Sequence, residues 1–124
     1  MGDGFRLPSS RILRNRGDFG TIYHQGCKWV DHFFVFYVLA RPGAAESRVG
    51  FIASRKLGGA VRRNRAKRLL RESFRLLQHQ YPLEADMIFV ARKRLVGARL
   101  QELMPEMEQT LARASKTIAE MEAE

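Results

Sequence analysis

Between residues 58 and 78 the apolar positions Ala66, Leu69, Leu70, Phe74 and Leu77 fall, at about 100° per residue, within roughly half of a helix circumference. Asn64, Lys67, Arg68, Arg71 and Arg75 occupy the other half. The spacing predicts a helix over 60–79, opened by Gly58-Gly59 and stopped by Pro82, with Tyr81 biased toward extended geometry. Upstream, the run FFVFYVLA at 33–40 is too short and too aromatic for a helix of its own and reads as a strand. Phe33, Val35, Tyr37 and Leu39 point one way, and Phe34, Phe36 and Val38 the other. Trp29-Val30 precedes it, across a polar break at Asp31-His32. Pro42-Gly43 makes a turn, and residues 48–54 (RVGFIAS) read as the hairpin partner strand. Asp86 to Arg92 is nearly all apolar, as a buried strand would be.

Two more helices frame this centre. Ile12, Leu13, Phe19, Ile22 and Tyr23 suit a short helix within 10–25, capped near Asn15 or Asp18 and closed by Gly26. Leu100, Leu103, Met104, Met107, Leu111, Ala114, Ile118 and Met121 recur at helical spacing, so a C-terminal helix is expected over about 98–124, with Pro105 kinking it or lying in its first turn. Residues 1–10 form an irregular lead-in rich in Gly, Ser and Pro. The order predicts one α+β domain over 1–124, a two-layer α-β sandwich with a mostly antiparallel sheet. If the strands flanking the basic helix are parallel, that helix is a crossover, right-handed by default.

Charge changes the picture. The chain of 124 residues carries a formal +9, and residues 1–105 alone hold 20 bases and 8 acids, or +12. From Arg62 to Arg75 seven Lys or Arg face one acid, Glu72. A merely solvated helix interleaves acids with bases as i,i+4 pairs, and here only Glu72 with Arg68 and Arg75 offers that relief. A polyanion would relieve the rest, whether nucleic acid or an anionic membrane surface. The apolar stripe is needed to cover a sheet, which disfavours the membrane. Cys27 is the only cysteine, so no intramolecular disulfide forms and a reducing, cytoplasmic home is expected. No stretch approaches the roughly 18 apolar residues of a membrane span.

Self-sufficient catalysis finds no support. His24, His32 and His79 are scattered, Cys-x-x-Cys and His-Glu-x-x-His are absent, and Asp3, Asp18, Asp31 and Glu46 fall at loop or cap positions. The sequence around Gly58-Gly59 lacks P-loop spacing. No catalytic residue, protein-held metal or small-molecule substrate is expected. Arginine outnumbers lysine on the basic helix, which suits bidentate phosphate contacts and stacking on bases. No helix-turn-helix spacing precedes it, and Phe19, Tyr23 and Tyr37 are available to stack unpaired bases, which together favour RNA over DNA.

Residues 48–75, RVGFIASRKLGGAVRRNRAKRLLRESFR, resemble the signature of the protein component of bacterial ribonuclease P. Arg63-Asn64-Arg65 with Lys67-Arg68 and Arg71-Glu72 matches that family's Arg-Asn-Arg helix, and the likeness extends through Asp18-Phe19 with Tyr23, the strand from Phe34 to Leu39, and Ala91-Arg92-Lys93. It covers about residues 11–95. The resemblance implies a left-handed crossover through the basic helix, against the default. It implies an accessory subunit of an endoribonuclease, the partner of a catalytic RNA that removes 5′ leaders from precursor tRNA, with Mg2+ held by the RNA. Arg62, Arg63, Asn64, Arg65, Lys67, Arg68, Arg71 and Arg75 would then face the catalytic RNA. Phe19, Tyr23, Tyr37, Arg55, Lys56, Arg92 and Lys93 would line the site for the leader. Tyr23 stands where a second Phe is common in the family, and Arg55 where Lys is common. The acidic tail at Glu120, Glu122 and Glu124 has no assigned counterpart and reads as a solvated end. A ribosomal-type structural RNA-binding protein without a catalytic partner is the alternative from another class.

Overall fold

Residue 88 of this chain is apolar and so are its neighbours on both sides, and a strand so uniformly apolar has to be covered on both faces and paired along both edges. The computed structural model, which describes residues 7–123, satisfies that demand. Strands β1 (Cys27–Val30), β2 (Phe34–Ala40), β3 (Arg48–Ile52) and β4 (Ala85–Ala91) form one sheet in the order β1-β2-β4-β3. β1 and β4 both pair antiparallel with β2, and β3 pairs parallel with β4. The helices are α1 (Arg16–Gln25), α2 (Ala60–Leu77) and α3 (Leu100–Ala123). Residues 1–6 of the expected lead-in and residue 124 of the acidic tail lie outside the described residues.

One expectation is corrected. β3 is not the hairpin partner of β2, because β4 lies between them. Placing β3 beside β2 would leave the most apolar strand on an edge. Asp86, at the start of β4 and buried, fixes the arrangement: it accepts from Arg48 of β3 at 2.9 and 2.7 Å and from Arg41, just past β2, at 3.3 Å. A buried carboxylate needs such partners, and these come from both flanking strands. Gly43, with φ +84°, lets the connection turn. The true hairpin is β1 with β2, and β1 has no counterpart in the expected elements.

α2 runs between the parallel strands β3 and β4 and is therefore a crossover. Its side chains Ala66, Leu70, Phe74 and Leu77 are buried, with Leu69 half-buried, as the spacing predicts. They join Phe34, Phe36 and Val38 of β2, Phe51 of β3, Phe89 of β4 and the apolar stripe of α3 in the main core. Phe89 is central, with ring centroids 4.9 Å from Phe36, 6.1 Å from Phe51 and 6.0 Å from Phe74. Pro105 lies within α3, past its first turn. α1 packs on the opposite face of the sheet, where Ile22 meets Ile88, Tyr37 and Leu39 in a second, smaller cluster. Its start is capped by Asn15, whose side chain accepts from the Gly17 N–H at 2.7 Å.

Candidate nucleic-acid interface

On the α1 face of the sheet three rings from separate parts of the chain meet. Phe19 and Tyr23 are one turn apart on α1 and stack with centroids 6.3 Å apart, while Tyr37 of β2 meets Tyr23 edge-on at 4.7 Å. Phe19 reaches the sheet because Gly50 of β3 has no side chain: a Cβ there would come within 2.6 Å of Phe19 Cε1. Tyr23 is exposed, and Phe19 and Tyr37 are half-buried. Partial burial, with Tyr37 beside it, pushes the Tyr23 phenol above its ordinary range. The Lys28 ammonium sits 5.8 Å from the Tyr37 centroid, placing a cation at the edge of the patch.

The cations expected beside these rings lie at one end of the sheet. β3 and β4 are parallel neighbours, so the short 3-10 turns that follow them, Arg55–Leu57 and Lys93–Leu95, leave the sheet side by side. Each turn buries its leucine, Leu57 or Leu95, and leaves Arg55 and Lys56, or Lys93 and Arg94, exposed. Ile88 pairs with Tyr37, and Arg92 is four residues further on, about 13 Å along the strand. Arg92 is half-buried, and its Nη1 donates to the Asp31 carbonyl at 2.7 Å.

α2 presents its cations on two flanks. Asn64, Lys67, Arg68 and Arg71 line a groove of about 400 Å³ whose other walls are Ile12, Arg14 and Phe51. Among the described residues no acidic side chain lines it. Arg62 and Arg65 lie on the other flank, beside Leu95 to Gly97. Arg63 is on neither flank. It lies along the buried stripe, one turn before Ala66, half-buried, with its Nε buried and unbonded. Arg75 directs its guanidinium to Glu72, at 3.0 and 2.6 Å, and that pair holds the Glu72 carboxyl below its usual range. Among the described residues, Arg62, Arg63, Arg65, Lys67, Arg68 and Arg71 have no ion-pair partner.

The structure thus joins Phe19, Tyr23 and Tyr37 in one patch and sets Arg55, Lys56, Arg92 and Lys93 at one end of the sheet. It adds Arg14, Lys28 and Arg94, which the expected site lacks. Arg94 belongs to the visible run at 92–94, whereas Lys28 gains its place only from its register opposite Tyr37. Among the described residues no group of three or more His, Cys, Asp or Glu is placed to hold a metal ion, and no helix is long and apolar enough to cross a membrane.

A family model described as Ribonuclease P matches residues 7–115. The ribonuclease P protein component of Oleidesulfovibrio alaskensis is 43% identical over 105 residues, covering 79% of this chain and 83% of that protein. That of Desulfovibrio desulfuricans is 40% identical over 109 residues, with 82% and 83% covered. Among solved structures, the RNase P protein of Staphylococcus aureus superposes with a TM-score of 0.74 at 30% identity, covering 84% of this chain and 94% of that one. The Thermotoga maritima RNase P protein gives 0.74 at 31% identity, with 82% and 94% covered.

Proposed function

The chain belongs to the ribonuclease P protein family, and from that premise we propose that it binds the catalytic RNA of ribonuclease P through α2 and the 5′ leader of precursor tRNA through the α1 face of the sheet. The observation that carries this division is the separation of two chemically different surfaces by the sheet itself. On one side, Asn64, Lys67, Arg68 and Arg71 converge with Arg14 around a groove that no acid among the described residues lines, which suits the phosphates of a folded RNA. On the other, Phe19, Tyr23 and Tyr37 offer ring faces with the Lys28 ammonium at the margin, which suits unpaired bases and their backbone.

In this reading the protein performs no bond cleavage. The reaction is endonucleolytic removal of the leader, and the RNA subunit, with its Mg2+, supplies the chemistry. The protein raises substrate affinity by stacking on leader bases and lowers the electrostatic cost of bringing two RNAs together. The same role places the protein in the cytoplasm, where precursor tRNA is processed.

The test is reconstitution. Adding the protein to the RNA subunit from the same organism at low Mg2+ should raise cleavage of leader-bearing precursor tRNA, and an unchanged rate and affinity would overturn the reading. Recovery of ribosomal RNA, in place of one discrete RNA of ribonuclease P, when the protein is purified from its host would overturn it as well.

A further inference from the structure

Leu69 is the member of the apolar stripe of α2 that does not reach full burial, and its surroundings explain why. Arg62, Arg65, Ala66 and Leu69 occupy adjoining positions along one side of the helix and face Leu95, Val96 and Gly97 of the turn after β4 across a depression of about 150 Å³. Its floor is apolar, with Ala66 and Leu95 buried and Leu69 and Val96 half-buried. Its rim is cationic, since Arg62 and Arg65 are exposed and without ion-pair partners among the described residues. No acid lines it. Arg62 is also guided by the backbone below it. Gly58 has φ +125°, and a Cβ there would lie 2.8 Å from Arg62 Cδ, so the arginine stem rests directly over the glycine.

Size and chemistry together narrow the occupant. At about 150 Å³ the depression is too small to seat a duplex groove or a peptide helix and about large enough for one flat heterocycle. A phosphate alone would use the rim and leave the apolar floor without a partner. A purely apolar group would use the floor and gain nothing from two unneutralised guanidinium groups. An unpaired nucleobase uses both: its faces bury against aliphatic carbon and stack on guanidinium planes, and its two phosphates meet the same arginines.

We propose that this depression receives a single unpaired base of the RNA partner, making the Arg62 and Arg65 flank of α2 a base-reading site, while the Lys67 and Arg68 flank meets backbone phosphate. The inference rests on the proposed function, because the partner is the RNA docked on α2. It assigns Leu69, Leu95 and Val96 a part in RNA recognition.

Abasic interference tests it on the full chain. The RNA subunit of ribonuclease P, carrying about one randomly placed abasic site per molecule, is partitioned between free and protein-bound fractions and the sites are mapped. Removing the base at one unpaired nucleotide should weaken binding to the wild-type protein by about 5- to 150-fold, the range that stacking of one base supplies. Val96→Phe fills the depression without changing charge, so it should weaken binding of intact RNA by a similar factor and abolish the interference at that nucleotide. Should circular dichroism show Val96→Phe unfolded, exposed Arg62→Ala takes its place, and the interference should shrink. Normal RNA binding with no single-base interference, or with interference equal in wild type and variant, overturns the base-reading site alone. Failure of intact RNA to bind the wild-type protein overturns the proposed function, and this inference with it.

Discussion

Gly50 is where the aromatic patch depends on the absence of an atom. A methyl built there would lie 2.6 Å from Cε1 and 2.8 Å from Cζ of Phe19, whereas carbon pairs rest at about 3.5–4.0 Å. Gly50→Ala therefore forces the ring back by about 1 Å or into another rotamer. Overpacking of this kind costs about 1–3 kcal/mol, and alanine recovers about 0.5–1 kcal/mol over glycine in a strand, so the net destabilisation runs from about zero to 2.5 kcal/mol. The functional loss is separate. If Phe19 stacks on a leader base, displacing it forfeits about 1–3 kcal/mol, or about 5- to 150-fold in affinity for leader-bearing substrate.

The decisive comparison is a double-mutant cycle with Phe19→Ala, measured by urea denaturation and by binding of reconstituted holoenzyme to substrate with and without a leader. Once the ring is gone, the tightest remaining contact of a methyl on Gly50 is with Leu13 Cβ, at 3.4 Å, an ordinary van der Waals distance. Gly50→Ala should then become neutral or stabilise by about 0.5–1 kcal/mol, reversing its sign. An equal cost in both backgrounds would refute the steric argument. Unchanged leader affinity in Gly50→Ala, where Phe19→Ala lowers it, would show that the ring does not need its present position.

Further outcomes follow from the same geometry. Replacing Arg68 or Arg71 with Ala should weaken binding of the RNA subunit and lower the slope of log K against log salt by about one per lost phosphate contact, with titrations at several salt concentrations as the measurement. Asn15→Ala removes the cap of the helix that carries Phe19 and Tyr23 and should cost about 0.5–2 kcal/mol in thermal or urea unfolding. Tyr23 carries a pH signature: its folded phenol ionises above the ordinary value, so the unfolded chain loses its proton first and folding stability should fall as pH rises past about 10. Tyr23→Phe should remove that part of the alkaline decline, seen by denaturation between neutral and alkaline pH.

The features legible in the sequence were those set by local periodicity. The α2 stripe and the alternation of β2 follow from spacing alone, and Asn15 and Gly26 bracket α1 because capping is local. The misplacement of β3 has the opposite origin. Pro42-Gly43 favours a hairpin between sequence neighbours, yet a central place for β4 and the bond from Asp86 to Arg48 are long-range demands that outweigh it. β1 was hidden because Cys27, Lys28 and Val30 are exposed and only Trp29 is half-buried, so four residues carry no alternation to read. The site shows the same division. The residue types of the aromatic patch were visible, but its assembly requires α1 on the face opposite α2, which no spacing dictates. The resemblance groups Arg63 with its basic neighbours, and a motif match carries no information on which face a side chain takes: here Arg63 lies along the buried stripe, half-buried with its Nε covered.

α3 has a consequence for the cations that its apolar pattern does not announce. Its Glu106 carboxylate accepts from the backbone N–H of His32 at 3.1 Å and of Phe33 at 2.8 Å. Thr110 and Arg113 donate to the Asp31 carboxylate at 2.9 and 3.2 Å, and the Arg113 guanidinium also lies 5.2 Å from the Trp29 ring centroid. The turn between β1 and β2 is thereby tied to the middle of α3, and that turn in turn holds two basic side chains, Arg92 through the Asp31 carbonyl and Arg94 through His32 Nδ1 at 3.1 Å. Long basic side chains lose rotamer freedom when they bind, so cations already held in place spend less of their interaction energy on ordering. Side chains of α3 thus reach the strand-end cluster through the β1–β2 turn, and a helix that covers the main core on one face of the sheet also sets the geometry of a charged surface at its end.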